Sequence, residues 1–286
     1  MQDKQKRFIS AGQVATAIEA AIPAIACDLP SDVLEALTVA RAKETGARGA
    51  VVLDHLTENA RIASEDQVPL CQDTGVVWAC LEIGPGVTVE GDVFSGVDAA
   101  VARAYCGADL RKSLVRDAFS DRSNTGDNTP AFCELHLVPK EGLARLHIML
   151  KGGGSDNASR VVMLDPSAGT RGVREEVLAC VREKAANACA PLVIGIGIGA
   201  TFDKVASLAK QALMRPLGKP SADSRLAAFE EELLDAVNAT GIGPGGLGGD
   251  TTALGVHVLT APCHIAALPL AINMGCSAMR RKSIDL

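Results

Sequence analysis

Apart from Trp78, Tyr105 and six phenylalanines, this chain of 286 residues has nothing aromatic with which to build a core. Hydrophobic residues still make up 48% of it, so Ala, Val, Leu and Ile must do the packing, with Gly supplying tight turns. A chain of this length can bury a real core, as one large domain or two modest ones. No segment reads as a long flexible linker, so one compact domain spanning 1–286 is the simplest expectation.

The first third reads as helical. Pro30 and Ser31 precede Asp32, which is placed to cap a helix whose Glu35 answers three residues later, with Val33, Leu37 and Ala40 as its apolar stripe. A second helix is predicted over 47–62, then a loop containing Pro69-Leu70-Cys71, a buried strand over 76–83 and a helix over 93–105. Segments 132–138 and 143–150 alternate in polarity around Lys140-Glu141-Gly142, a hairpin signal. Further on, helices are predicted over 171–186, 201–213 and 225–237, the last stopping near Gly241. Strands are predicted over 192–198, 254–259 and 265–274, and 215–224 reads as a surface connection. Helices and strands alternate without a regular βαβ rhythm. That predicts an α+β fold, with a helical N-terminal part and a mixed sheet built from the central and C-terminal strands.

Charge and composition exclude several classes of partner. Lys and Arg number 28 against 34 Asp and Glu, a formal charge of −6, with no basic block of the kind that neutralises nucleic-acid phosphates. A small anionic substrate stays compatible, since a few Arg suffice for it locally. The start, Met1 to Arg7, is polar and charged, without the apolar region of a signal peptide. No run of about 18 apolar residues suggests a membrane span. The expectation is a cytoplasmic protein, in which nine cysteines serve as thiols or metal ligands rather than disulfides.

Five segments concentrate chemistry. Cys71-Gln72-Asp73-Thr74-Gly75 joins a soft ligand, an amide, a carboxylate and a hydroxyl in a loop between a helix and a buried strand; a turn with a buried Cys and a capping Asp is its plain alternative. Asn124-Thr125-Gly126-Asp127-Asn128-Thr129-Pro130 is rich in short polar groups, as an ordinary surface loop also is. In Lys151-Gly152-Gly153-Gly154-Ser155, three successive glycines imply that something approaches the backbone closely. Asn187-Ala188-Cys189-Ala190-Pro191 leads into Ile194-Gly195-Ile196-Gly197-Ile198-Gly199-Ala200. That run matches a dinucleotide fingerprint, but Pro216, Gly218 and Pro220 stand where its second strand should be. The last block runs from Gly243 through His257 and Pro262-Cys263-His264-Ile265-Ala266-Ala267-Leu268-Pro269 to Gly275-Cys276-Ser277-Ala278-Met279-Arg280-Arg281.

Taken in order, these segments resemble the α part of class I, iron–sulfur fumarate hydratases and the related tartrate dehydratases, from about Leu34 to Arg281. The resemblance implies a hydro-lyase whose [4Fe–4S] cluster is held by three cysteines, matched here by Cys71, Cys189 and Cys276. Three thiolates satisfy three irons and leave the fourth to act as a Lewis acid on substrate. Cys263 competes with Cys276 for the third place; Cys276 is preferred because it precedes Ser-Ala-x-Arg. The other cysteines, Cys27, Cys80, Cys106, Cys133 and Cys180, are read as core.

For substrate the resemblance points to Gln72, Asp73, Arg111, Gly154 and His264. Arg111 would grip a carboxylate through two parallel hydrogen bonds, although a surface cation at a helix end is also consistent with it. Asp73 would orient or protonate the leaving hydroxyl, and His264 would polarise a carboxylate or orient Asp73. His136, His147 and His257 are read as structural. Single-chain members of the family continue into a second domain that supplies the catalytic base, a Thr, together with further Arg and Lys groups. No such region follows Leu286. The resemblance therefore implies a hetero-oligomer in which a separate β subunit completes the site. Fumarate is the leading substrate, tartrate or mesaconate the alternative, and a non-catalytic iron–sulfur sensing subunit the alternative of another class.

Overall fold

The computed structural model describes residues 7–286; most of the polar start lies outside them. A short strand β1 (Arg7–Ile9) is followed by helices α1 (Ala11–Cys27), α2 (Ser31–Lys43) and α3 (Ala47–Asp66). Then come β2 (Val76–Ile83), β3 (Val87–Val89), α4 (Val97–Gly107), β4 (Phe132–Leu137), β5 (Ala144–Lys151), the single turn α5 (Gly153–Asn157) and β6 (Arg160–Leu164). Helix α6 (Gly169–Lys184), β7 (Leu192–Ala200), α7 (Phe202–Ala212), α8 (Ser224–Asn238), β8 (Ala253–Cys263), β9 (Leu268–Gly275) and β10 (Arg281–Asp285) complete the chain. The α+β class is as the alternation of elements predicts. The chain divides into two compact units: residues up to Leu29 with Ala63–Gly152 and Arg280–Leu286, and Pro30–Ile62 with Gly153–Met279. The first boundary falls at Leu29/Pro30 and the second inside α3, so no linker composition marks them.

The first unit is built on a sheet in the order β10-β5-β2-β4. Val77, Ala79, Leu81 and Ile83 of β2 and Leu146, Ile148 and Leu150 of β5 share one face, alternate residues of a pleated strand. They pack with Val14, Ile18 and Ile22 of α1 and Val97, Val101 and Tyr105 of α4. Helix α1 starts on a reciprocal cap: Ser10 Oγ accepts from Gln13 N at 3.2 Å, and Gln13 Oε1 accepts from Ser10 N at 2.9 Å. By composition the stretch Ala11–Lys43 is long and apolar enough to cross a membrane, but α1 uses its apolar stripe as core of this unit. The expected hairpin across Lys140–Gly142 does not form. β4 pairs in parallel with β2, and β5 pairs antiparallel with the other edge of β2. The strand buried along most of its length takes the centre, and the mostly exposed β4 takes the edge.

The second unit has its own sheet, β6-β9-β7-β8, with β7 parallel to β8 and antiparallel to β9. So there are two four-stranded mixed sheets rather than one. The glycines of β7 are explained by packing. A Cβ on Gly195 would stand 2.2 Å from Ala209 O, and one on Gly197 would stand 2.4 Å from Val205 O, both on α7. Only a strand without side chains at these positions lets α7 lie this close. Helix α2 buries Val33, Leu37 and Ala40 as expected, but Asp32 does not cap it. The N-cap is Pro30, without a side-chain bond, and Asp32 instead accepts from Leu217 N at 2.7 Å. Beyond α2, the buried Glu44 carboxylate accepts from the backbone of Gly46, Asp250 and Thr251. Gly46, Gly49 and Gly249 crowd around it, where added Cβ atoms would fall 2.6–2.8 Å from its atoms.

Candidate active site

In the first unit, the Cys71–Gly75 loop enters β2 at one end of the sheet. Val76 lies opposite Lys151, so the Lys151-Gly152 segment leaves β5 at that same end, and Arg280 enters β10 there. Side chains lock the loop. Buried Tyr105 directs its hydroxyl at Thr74 O (3.1 Å) and Gly75 O (3.0 Å), and burial pushes that phenol well above its ordinary range. Asn128, fully buried and left-handed at φ 65°, donates to Gly75 O at 3.0 Å and accepts from Ser113 N at 2.7 Å. The Thr74 hydroxyl donates to Arg111 O, which holds the Arg111 backbone beside the loop. Arg280, only 2% exposed, donates to Asp73 O at 2.5 Å. The Asp73 carboxylate accepts from Gly75 N at 2.9 Å through Oδ1, an Asx turn, while Oδ2 lies 3.2 Å from where a Cβ on Gly152 would stand. The close approach expected at the glycine run is thus real at Gly152. Cys71, Gln72, Asp73 and Arg111 are brought together in this unit.

In the second unit, Cys189 precedes β7 and Cys276 follows β9. Because these strands are antiparallel, with Val193 opposite Gly275, both cysteines sit at the same end of the sheet. Ser277 N donates to Cys189 O at 3.1 Å and ties the two segments together. Cys189 is exposed and held at φ 56°, a conformation unusual for a non-glycine residue and concentrated at functional sites. Gly154 belongs to this group: a Cβ on it would lie 3.5 Å from Asn187 O, two residues before Cys189.

His264 is not brought to that group. It lies in the β8–β9 turn, beyond the far end of β7, where Ala200 pairs with Cys263. The nine residues of β7, whose eight rises of about 3.3 Å add up to roughly 26 Å, separate that end from Cys189 and Cys276. Cys263 shares the far end with His264, so between the two C-terminal cysteines only Cys276 accompanies Cys189. Ala266 N donates to His264 Nδ1 at 3.1 Å, which leaves the exposed Nε2 to carry the proton of a neutral ring.

Of the cysteines read as core, Cys27, Cys80 and Cys180 are buried and Cys133 is half-buried, but Cys106 is exposed near the end of α4 and is not core. Burial pushes the Cys80 thiol up to about 12 and the Cys133 thiol up to about 11, and it raises Cys180 as well. Without a metal ion to displace the proton such thiols stay protonated; Cys71 and Cys276 are partly accessible and Cys189 is exposed. His257 is buried with Nδ1 3.2 Å from Ala212 O, and His147 Nδ1 lies 2.7 Å from Ser283 Oγ, as structural histidines do. Sequence reasoning missed Tyr105, Arg280 and the role of Asn128. The one tyrosine and the Arg within Cys-Ser-Ala-Met-Arg were the signals available, and neither said where the side chain would turn.

Residues 15–285 match the sequence model of the family described as fumarate hydratase (Fumerase). The chain is 39% identical over 262 residues to a putative L(+)-tartrate dehydratase subunit alpha of Methanocaldococcus jannaschii, covering 88% of this chain and 90% of that protein. It is 30% identical over 262 residues to the L(+)-tartrate dehydratase subunit alpha of Escherichia coli, covering 91% and 86%.

Proposed function

Because this chain belongs to the fumarate hydratase (Fumerase) family, we propose that it is the α subunit of an iron–sulfur enzyme that adds water to, or removes it from, a four-carbon dicarboxylate. Its class is hydro-lyase, and the family match across residues 15–285 is the observation that carries this. Cys71, Cys189 and Cys276 are the proposed ligands of a [4Fe–4S] cluster. The donor set fits: three accessible or part-accessible thiols, two of them at one end of the second unit's sheet, one held by a left-handed backbone. When bound, such a cluster supplies one iron without a protein ligand as a Lewis acid for the substrate hydroxyl.

This chain's own residues then bind and orient. Arg111 offers a fork of donors to a substrate carboxylate, and the Gln72 amide offers hydrogen bonds beside it. Asp73, whose carboxylate is held in place by Gly75 N, is the proposed group that orients or protonates the departing hydroxyl. Gly154 admits substrate close to the backbone. His264 is carried as a candidate for a site other than the one its own Cys189 and Cys276 would serve. The base that takes the C3 proton is assigned to a β subunit, consistent with relatives named as α subunits. A reducing cytoplasm suits nine cysteines none of which is in a disulfide among the described residues.

Fumarate is the proposed substrate, on the Lys151–Ser155 segment with Asp156-Asn157 and on Gly246-Leu247-Gly248-Gly249-Asp250-Thr251-Thr252. The names of the relatives favour L(+)-tartrate as the second reading. Anaerobic reconstitution with the β-type chain, assayed on fumarate, malate, mesaconate and L(+)-tartrate, separates them. Turnover of fumarate and malate that requires both chains is the expected result. A higher kcat/KM on tartrate selects the second reading, and turnover by the cluster-loaded α chain alone overturns the split site.

A further inference from the structure

Strand alternation places Trp78, Cys80 and Glu82 of β2 on the sheet face opposite the first unit's core. The pairing with β4 sets Glu134 beside Cys80 and His136 beside Glu82, and the pairing with β5 sets His147 on the other side of Cys80. The Cys80 Sγ, a Glu134 carboxylate oxygen and a His136 ring nitrogen all lie within 4.8 Å of one another. We propose that Cys80, Glu134 and His136 form a binding site for a divalent transition metal of borderline softness, Zn2+ foremost, distinct from the three cysteines proposed for the cluster.

The donor set argues for this class of ion. Thiolate, imidazole and carboxylate are the three ligand types zinc accepts, and three protein ligands with a fourth place for water is a common arrangement. Thiolate and carboxylate together carry two negative charges, which one divalent ion neutralises. The frame is rigid, since the ligands project from adjacent paired strands. The carboxylate is already oriented from behind: Trp78 Nε1 donates to Glu134 Oε1 at 2.8 Å, the kind of outer hydrogen bond that fixes metal ligands. On the flank, His147 Nε2 lies 3.3 Å from Glu82 Oε2, so those two groups engage each other beside the site. His136 Nε2 and Glu134 Oε2 now touch at 2.9 Å. Tetrahedral ligation with bonds of about 2.0–2.1 Å needs roughly 3.3 Å between them, an opening of a few tenths of an ångström. Both side chains are 29% exposed, which leaves an entry path to a thiol that is itself buried. A hydrogen-bonded Glu134–His136 pair alone explains two of these residues but not the cysteine set against them.

Co2+ is the probe, because a cobalt–thiolate bond gives a charge-transfer band in the near ultraviolet. The full-length chain with its cluster, and a Cys71→Ala/Cys189→Ala/Cys276→Ala variant, are titrated anaerobically with Co2+ alone. The expected result is one Co2+ per chain with the thiolate band in both proteins, which separates this site from the cluster ligands whether or not a cluster is bound. The band is lost in Cys80→Ala, and affinity falls at least about tenfold in the part-exposed variants His136→Gln and Glu134→Gln. Absence of the band from both starting proteins overturns the proposal. So does a band that survives Cys80→Ala but disappears with the three cluster cysteines, or an affinity unmoved by both His136→Gln and Glu134→Gln.

Discussion

Asp73 is constrained at three atoms. Its carbonyl accepts from Arg280, Oδ1 accepts from Gly75 N, and Oδ2 borders Gly152. An amide oxygen can replace Oδ1 in the Asx turn, so Asp73→Asn keeps the loop while removing the acid. Iron content and thermal unfolding should be those of the parent, with kcat in the reconstituted enzyme lower by about 10²–10⁴. A parallel loss of iron would make Asp73 a structural residue instead. Gly152→Ala tests the same carboxylate from outside. Its methyl would meet Oδ2 at 3.2 Å and the Arg280 guanidinium at 3.5 Å, so Asp73 must shift by a few tenths of an ångström. Displacements of this order matter for aligned groups, and kcat is expected to fall about tenfold with little change in melting temperature. At this scale the sequence was informative about residue type and silent on direction. Cys71-Gln72-Asp73-Thr74-Gly75 was legible as a candidate site, but the partners that shape it, Tyr105, Asn128 and Arg280, come from 30 to 207 positions away in the chain.

Elements were legible where periodicity is strong. The strand over 76–83 appears at its expected bounds, the 225–237 helix within a residue at each end, and the Val33, Leu37, Ala40 stripe is buried. Pairing was not legible, because alternation identifies a strand and says nothing of its neighbour. β4 and β5 are adjacent in sequence, yet the more apolar β2 lies between them. The glycines of β7 looked like a ligand loop for a related reason: close approach by α7 and close approach by a phosphate demand the same missing side chain. Gly195→Ala drives a Cβ to 2.2 Å from Ala209 O and should destabilise the second unit by about 1–3 kcal/mol through overpacking, seen as a lower midpoint in urea at unchanged slope. Tyr105→Phe acts on the loop element of the first unit. It leaves the Thr74 and Gly75 carbonyls without the phenol donor, a loss of about 1–2 kcal/mol. Faster loss of iron from the reconstituted enzyme should accompany it, since Cys71 rides on that loop.

At the scale of the molecule, linear proximity misleads. Pro262 to Arg281 reads as one block, with two cysteines, a histidine and an arginine pair inside 20 positions. β9 runs through the middle of it and carries the chain from one end of the second unit's sheet to the other. Cys263 and His264 are left beside the end of β7, and Cys276 beside its start with Cys189. Thiolate ligands of one cluster must converge within a few ångströms, so if Cys189 shares the proposed cluster with Cys276 it cannot share it with Cys263 of the same chain. Three single variants follow this geometry. Cys276→Ser should leave only a small fraction of the iron after anaerobic reconstitution and gel filtration, whereas Cys263→Ala and His264→Asn should retain parental iron per chain. Iron loss in Cys263→Ala with retention in Cys276→Ser would reverse the ligand assignment. If His264→Asn also lowers turnover while its iron stays in place, its imidazole serves a site completed by another chain, since roughly 26 Å of β7 separate it from its own two cysteines.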